Sequence, residues 1–310
     1  MTAAVPLVLV VGPTASGKSV LAAGLAAALG GEVVSADAMA VYRGMDIATA
    51  KPGPELLALA PHHLIGVIDP GDRCDAARWL AMADAAIVGI RARGRPCIIA
   101  GGTPLYTKVL VEGLSAGAPR DPALRAELDA RYAQIGAEAF HRELAAVDPA
   151  YAAAHHANDR RRLVRAMEVL RLTGRPYSAH HVTDGRRSPR WRTLHLGLAW
   201  EREALYRRIN ARARAMFRAG LVNEIARLRG SLSPEASQAV GCKEVLAHLA
   251  GACDLETAQE QVCRASRHLA KHQQTWYRRF PDIVWLPGDA PDLLAQAMAA
   301  ARAFLDHPCA

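Results

Sequence analysis

Short apolar runs alternate with helix-spaced segments through the first hundred residues. Leu7 to Val11, Glu32 to Ser35 and Pro96 to Ala100 read as strands, and Ser19 to Leu29 keeps helical spacing between the first two. That alternation is the signature of a parallel α/β sheet. A later run from Leu194 to Trp200 sets Leu194, Leu196 and Leu198 on one side and predicts another strand, and Ile283 to Leu286 is short enough to rejoin the sheet. Between Ala100 and Leu194 the texture changes. Asp121-Pro122 joins a helix-capping carboxylate to a proline suited to the first helical position, and Leu124, Leu128 and Tyr132 follow at helical spacing. Further helices are predicted over Glu138 to Val147 and Asp159 to Leu172, the second with Leu163, Met167 and Leu170 on one face and arginines on the other. The expected organisation is an α/β core of residues 1–117 and 193–310 carrying an all-helical insertion at 118–192.

Gly12-Pro13-Thr14-Ala15-Ser16-Gly17-Lys18-Ser19 fits the spacing GxxxxGK[ST], directly after an apolar strand and before a helix. Glycines at those positions let successive backbone N–H groups turn inward around phosphate oxygens, and the helix N-terminus adds partial positive charge. Lys18 then reaches the terminal phosphate and Ser19 is the expected Mg²⁺ ligand. A P-loop specifies phosphate without specifying a kinase. The usual companion is an acid at the end of a second apolar strand, yet Cys97-Ile98-Ile99-Ala100 runs into Gly101-Gly102-Thr103. The acid stands instead at Asp37, past the Glu32 to Ser35 strand, at the carboxyl edge where open α/β sheets bind ligands. It reads either as a general base or as a turn or helix-cap aspartate.

In the helix predicted over Glu201 to Arg218, core spacing selects Leu205, Ile209, Arg212 and Met216, which puts an arginine in an apolar seam. Such a guanidinium needs an anion, supplied by a structural carboxylate or by a bound phosphate. The helix from Asp254 to Phe280 shows Val262, Ala265, Leu269 and Trp276 as an apolar stripe, with Arg264, Arg267, Lys271 and Arg278 on another face. That basic ridge suits a nucleic-acid backbone and equally a plain solvated face.

With 310 residues, 51% of them apolar and 22% charged, the chain can build a sizeable core. No apolar run reaches the ~18 residues of a membrane span, and no basic leader precedes the first one, so neither a span nor a signal peptide is expected. Six cysteines without metal-ligand spacing point to reduced thiols and a cytoplasmic setting. Net charge is +8, and +7 of it falls between His155 and Arg192, which holds ten arginines and three acids, Asp159, Glu168 and Asp184. Such a concentration favours a polyanionic partner.

Together these residues resemble the tRNA dimethylallyltransferase, or tRNA isopentenyltransferase, family of bacterial type over nearly the whole chain. The carriers are Gly12 to Ser19, Asp37 with Val41-Tyr42-Arg43-Gly44-Met45-Asp46-Ile47, Thr49-Ala50-Lys51-Pro52, and Gly101-Gly102-Thr103 with Leu105-Tyr106. Asn158 through Glu168 with Thr173-Gly174, Gly220-Leu221 with Glu224, and Lys271 through Trp276 complete the set. The resemblance implies a P-loop NTPase-like α/β fold with a helical tRNA-binding insertion. It implies dimethylallyl diphosphate as donor, Mg²⁺ as cofactor, and as acceptor the adenosine 3′ of a tRNA anticodon, in a monomeric enzyme. It makes Asp37 the base on the adenine N6 amine and gives Thr103 and Arg212 to the departing diphosphate, beside Gly12, Thr14, Ala15, Ser16, Gly17, Lys18 and Ser19. The implied RNA contacts are Asp37, Ala38, Met39, Ala40, Thr103, Arg125, Arg161, Arg162, Leu163, Val164, Arg165, Gly241, Lys243, Lys271 and Gln273. Cys242 after Gly241, His272, Ala38, Ala40 and the Arg73-Cys74-Asp75 segment depart from the family pattern, mostly on the RNA-facing side. Competing expectations are an ATP-dependent P-loop kinase, a relative that prenylates free AMP, and an RNA-binding P-loop protein without catalysis.

Overall fold

A computed structural model describes residues 6–114, 120–182 and 190–307. Asp184, Arg186, Arg187 and Cys309 lie outside them. In chain order the elements are β1 (Pro6–Val11), α1 (Lys18–Leu29), β2 (Glu32–Ser35), α2 (Pro54–Leu59), β3 (His62–His63), α3 (Ala76–Ala92), β4 (Cys97–Ala100) and α4 (Pro104–Glu112). Five helices follow: α5 (Pro122–Ile135), α6 (Ala137–Val147), α7 (Pro149–Ala153), α8 (Arg160–Thr173) and α9 (Tyr177–Val182). The chain then runs through β5 (Arg192–Ala199), α10 (Arg202–Arg218), α11 (Leu221–Leu228), α12 (Cys242–Leu249), α13 (Leu255–Tyr277), β6 (Ile283–Pro287) and α14 (Leu293–Asp306). Two compact units result, Met1–Val111 with Pro189–Ala310, and Glu112–Ser188.

The first unit is the α/β fold with a P-loop that the motif requires. All six strands are parallel, in the order β3-β2-β4-β1-β5-β6. Helices cover both faces, so the central strands are apolar throughout: Leu7, Val8, Leu9 and Val10 of β1 are all buried. The candidate phosphate-site residues, Gly12 to Ser19, Asp37 and Gly101 to Thr103, follow the carboxyl ends of β1, β2 and β4. Trp79 of α3 fixes one of those ends, stacking on Tyr106 with ring centroids 4.3 Å apart and donating its N–H to Ser35 O at 3.0 Å. The two-residue β3 escapes sequence reading because His62-His63 has no apolar pattern; Val33↔His62 pairing defines it.

The second unit packs α5, α6 and α8 around Leu128, Phe140, Leu144, Leu163 and Met167. Asp121 caps α5 as its sequence context requires, accepting from the N–H groups of Ala123 and Leu124. Glu168 on the inner side of α8 is buried as well, which a helix of arginines opposite leucines does not announce. Among the described residues no helix is long and apolar enough to cross a membrane.

Candidate active site

The loop Gly12–Ser19 leaves β1 and turns into α1. Gly17 precedes the helix with φ 97°, and Ala15 has φ 62°, a left-handed conformation costly for an alanine. The loop carbonyls are tied down. Lys18 Nζ donates to Pro13 O at 2.6 Å, Arg208 Nε to Ala15 O at 2.9 Å, and Trp200 Nε1 to Ser16 O at 3.0 Å. The N–H groups of Ala15, Gly17, Lys18 and Ser19 meet no acceptor among the described residues, and the buried Ser16 hydroxyl has no partner either. Unpaired donors gathered at a helix N-terminus are an anion site.

Gly101 and Gly102 stand close behind the loop for steric reasons. A Cβ on Gly101 would lie 2.1 Å from Ala36 O, and one on Gly102 would lie 2.5 Å from Gln273 Nε2. Gln273 fills the space that Gly102 leaves, donating Nε2 to Gly102 O at 2.6 Å and accepting the Thr14 N–H on Oε1 at 2.7 Å. It thereby braces the P-loop against the end of β4. Sequence reasoning set Gln273 among the RNA contacts; the structure buries it and spends both ends of its amide inside the protein. The buried face of α13 runs through Ala258, Val262, Ser266, Ala270, Gln273 and Tyr277, displaced from the expected stripe. Leu269 is exposed and forms pocket wall, because this face packs closely on polar backbone and takes small or hydrogen-bonding residues instead of the largest apolar ones.

Arg212 also needs a correction. The core stripe of α10 is Leu205, Ile209 and Ala213, and Arg212 stands half-buried on its flank, with Nη2 donating to Thr14 Oγ1. Burial pushes its pKa down, the nearby Asp37 carboxylate acts the other way, and Arg208 adds to the depression. Lys18 shows the same balance more strongly: burial lowers its pKa to about 7, partly countered by Asp37 and reinforced by Arg212. The site therefore holds two crowded cations and one carboxylate, an excess of positive charge waiting for an anion.

Asp37 caps its turn with one carboxylate oxygen and leaves the other open. Its Oδ1 accepts from Met39 N at 2.9 Å and Ala40 N at 3.2 Å, fixing the turn, while Oδ2 has no donor among the described residues. Thr103 is set back from the pocket lining, and its Oγ1 accepts the Ala38 N–H at 3.0 Å. Beyond the loop the pocket continues along an apolar wall of Val33, Ala40, Ala50, Pro52, Ile65 and Leu269. Part of that wall hangs on Glu224 of α11, whose carboxylate accepts from Asp46 N, Ile47 N and Ala48 N at 2.9, 2.8 and 2.9 Å. A glutamate three residues into a helix that follows Gly220 carries no local sign of that role.

A sequence profile described as IPP transferase matches residues 40–280. The chain belongs to that family. It is 48% identical over 283 residues to a tRNA dimethylallyltransferase of Geobacter sulfurreducens, covering 90% of this chain and 91% of that protein. A tRNA dimethylallyltransferase of Shouchella clausii is 42% identical over 302 residues, 97% of each chain. Among solved structures, a tRNA isopentenylpyrophosphate transferase from Bacillus halodurans aligns with TM-score 0.72 and 37% identity over 97% of both chains. A eukaryotic dimethylallyltransferase acting on tRNA aligns with TM-score 0.82 and 26% identity, covering 96% of this chain and 78% of that one.

The residues implied as RNA contacts divide by burial. Leu163 and Val164 point into the core of the helical unit, where their side chains reach no external partner. Gly241 and Ala40 are buried, Ala38 and Met39 half-buried, and Lys243 and Lys271 exposed. Arg161 is exposed, whereas Arg162 pairs with Asp159 at 2.9 Å. Arg125 and Arg165 both close on Oε2 of Glu168, at 2.7 and 2.8 Å.

Proposed function

We propose that this chain transfers a dimethylallyl group from dimethylallyl diphosphate to the N6 amine of the adenosine 3′ of the anticodon in tRNA, releasing diphosphate and leaving N6-dimethylallyladenosine. The observation that carries the reading is one pocket holding a carboxylate oxygen without a protein donor, on Asp37, opposite Lys18, Arg212 and a loop of unpaired amides. An apolar wall beside an anion cradle suits an isoprenoid diphosphate better than a nucleoside triphosphate, and β4 ends at Ala100 and runs into Gly101-Gly102 without an acid for a nucleotide-bound metal.

In the reaction the adenine nitrogen attacks the allylic carbon as the bond from that carbon to the diphosphate oxygen breaks. Asp37 Oδ2 takes the N6 proton, so the amine gains nucleophilicity as the new C–N bond forms. Charge growing on diphosphate falls on donors already in place: Lys18, the Arg212 guanidinium and the N–H groups of Gly17, Lys18 and Ser19. Thr103 then acts through the backbone, holding Ala38 and with it the turn that presents Asp37. The adenine leaves its stack to reach the pocket.

A Mg²⁺ ion fits this donor set as one that keeps water and diphosphate oxygens for most of its ligands. Ser19 supplies a hydroxyl at the start of α1, and no group of three or more His, Cys, Asp or Glu forms a protein cage among the described residues. Bound there, it would neutralise charge on the leaving group. We place the enzyme in the cytoplasm as a monomer; the five described cysteines are free thiols.

The deciding test is incubation with Mg²⁺, radiolabelled dimethylallyl diphosphate and unmodified tRNA, with free AMP and radiolabelled ATP in parallel. Label in a prenylated adenosine from tRNA alone is the expected result. Label in AMP moves the assignment to free nucleotides, and phosphate transfer from ATP replaces it with a kinase.

A further inference from the structure

The two helices that wall the catalytic pocket have a second flank. On α10 the buried stripe is Leu205, Ile209 and Ala213; at 100° per residue Arg208 and Arg212 fall on one side of it, and Tyr206, Asn210 and Arg214 on the other. The buried face of α13 divides likewise, with Leu269 toward the catalytic pocket and Cys263, Arg264 and Arg267 away from it. These second flanks enclose a groove whose charged lining is Arg214, Arg264, Arg267 and one acid, Glu260.

Three observations give the groove a ligand. Neither Arg214, Arg264 nor Arg267 meets a carboxylate within ion-pair distance among the described residues; Arg267 Nη1 donates instead to the neutral Asn210 Oδ1 at 2.7 Å. Two lining residues, Asn210 and Arg214, also continue beyond the groove as a row that ends in a further cation. Arg202, Tyr206, Asn210 and Arg214 recur every fourth residue of α10, a run of about 18 Å at 1.5 Å per residue. Finally, the row includes a flat ring: Tyr206 carries the Arg202 guanidinium 5.3 Å and the Arg267 guanidinium 5.9 Å from its centroid. One free phosphate needs no such length, whereas several successive phosphates of a strand do.

We infer that this groove binds the sugar-phosphate backbone of the acceptor RNA at nucleotides beyond the reacting adenosine, on the flank of α10 and α13 opposite the catalytic pocket. The inference rests on the reading of the acceptor as RNA. One helix diameter, roughly 10 Å, separates the two flanks, a span of about three nucleotides of strand.

The test compares the parent with Arg214→Gln/Arg264→Gln in equilibrium binding to unmodified tRNA across a salt series, alongside kcat and KM for prenyl transfer. Two lost phosphate contacts weaken RNA binding roughly tenfold near 0.1 M salt and flatten the slope of log affinity against log salt by about 1.5. KM for RNA rises in step, with kcat and diphosphate affinity unchanged. Arg214→Lys/Arg264→Lys keeps the charge and restores affinity, separating charge loss from disturbed folding. RNA affinity and salt slope equal to the parent's in the glutamine variant overturn the proposal, as does a parent that binds no RNA. RNA binding that responds as described without any prenyl transfer sustains the groove and defeats the catalytic reading.

Discussion

In the helical unit Arg125 and Arg165 close on Glu168, Arg131 on Glu143, Arg160 on Asp129 and Arg162 on Asp159. On α10 of the core unit six arginines share a helix with one glutamate, and none of them forms an ion pair among the described residues. Their contacts are neutral: Arg208 to a loop carbonyl and the Trp200 ring, 4.4 Å to its centroid, and Arg212 to a hydroxyl. Charge density along the chain points to 155–192 as the polyanion-binding stretch, yet four of its ten arginines, Arg160, Arg162, Arg165 and Arg190, are already paired with protein carboxylates. The less conspicuous helix near the catalytic pocket keeps its charge available. What an arginine can do for a ligand depends on which carboxylates the fold has placed beside it.

The comparison breaks first at the pocket. Asp37→Ala is expected to lower kcat by about a hundred- to ten-thousand-fold while leaving donor affinity near that of the parent, measured by single-turnover transfer and diphosphate binding. Activity within a few fold of the parent would remove Asp37 from the chemistry. Arg212→Ala follows at about a hundredfold in kcat, with stability little changed, as befits a cation held for a ligand.

The reverse pattern is expected at Glu168, nearly inaccessible at 1% side-chain exposure. Burial works against its charge, but the Arg165 hydrogen bond, the Asp121 N–H and Arg125 together bring its pKa below the usual value. Its stabilisation is therefore complete above the ordinary carboxylate range and fades as pH falls through the lowered folded-state value. Glu168→Ala should destabilise by about 2 to 4 kcal/mol in urea unfolding, short of the cost of two fully stranded cations because both guanidiniums still reach water. Catalysis by the folded fraction should survive.

Donor binding sharpens the contrast through pH. With Lys18 near 7 in the free protein, its protonated form gains a diphosphate partner, so affinity is greatest below pH 7. It falls above that pH by up to tenfold per unit, and Lys18→Arg should flatten the profile in a calorimetric titration. Smallest of all, Arg214→Gln/Arg264→Gln should change unfolding free energy by no more than about 0.5 kcal/mol, since neither side chain holds a protein anion.

Much of both units is legible from local pattern. β2 runs Glu32–Ser35 as read, α1 begins one residue early at Lys18, and the Asp121-Pro122 start of α5 has its capping bonds. Those features depend on backbone geometry and near neighbours, which the sequence displays directly. Arg212 was legible as an anomaly before it had a partner; its exact place, on the flank of the stripe and not within it, needed Ala213 to be seen as the buried residue. Leu163 turns inward as the helical spacing of α8 sets it, whereas Val164 turns inward beside it outside the apolar face that the spacing selects.

By itself the sequence determined the phosphate loop, the acid past β2, the parallel sheet and the helical character of the segment between β4 and β5, because each is written in spacings of a few residues. Only the tertiary structure decided that Gln273 braces a loop 259 residues away, that Glu224 holds the turn at Asp46 to Ala48, and which arginines remain uncommitted. The physical reason is that a hydrogen bond or ion pair depends on separation in space, and folding brings together groups whose distance along the chain carries no trace of it.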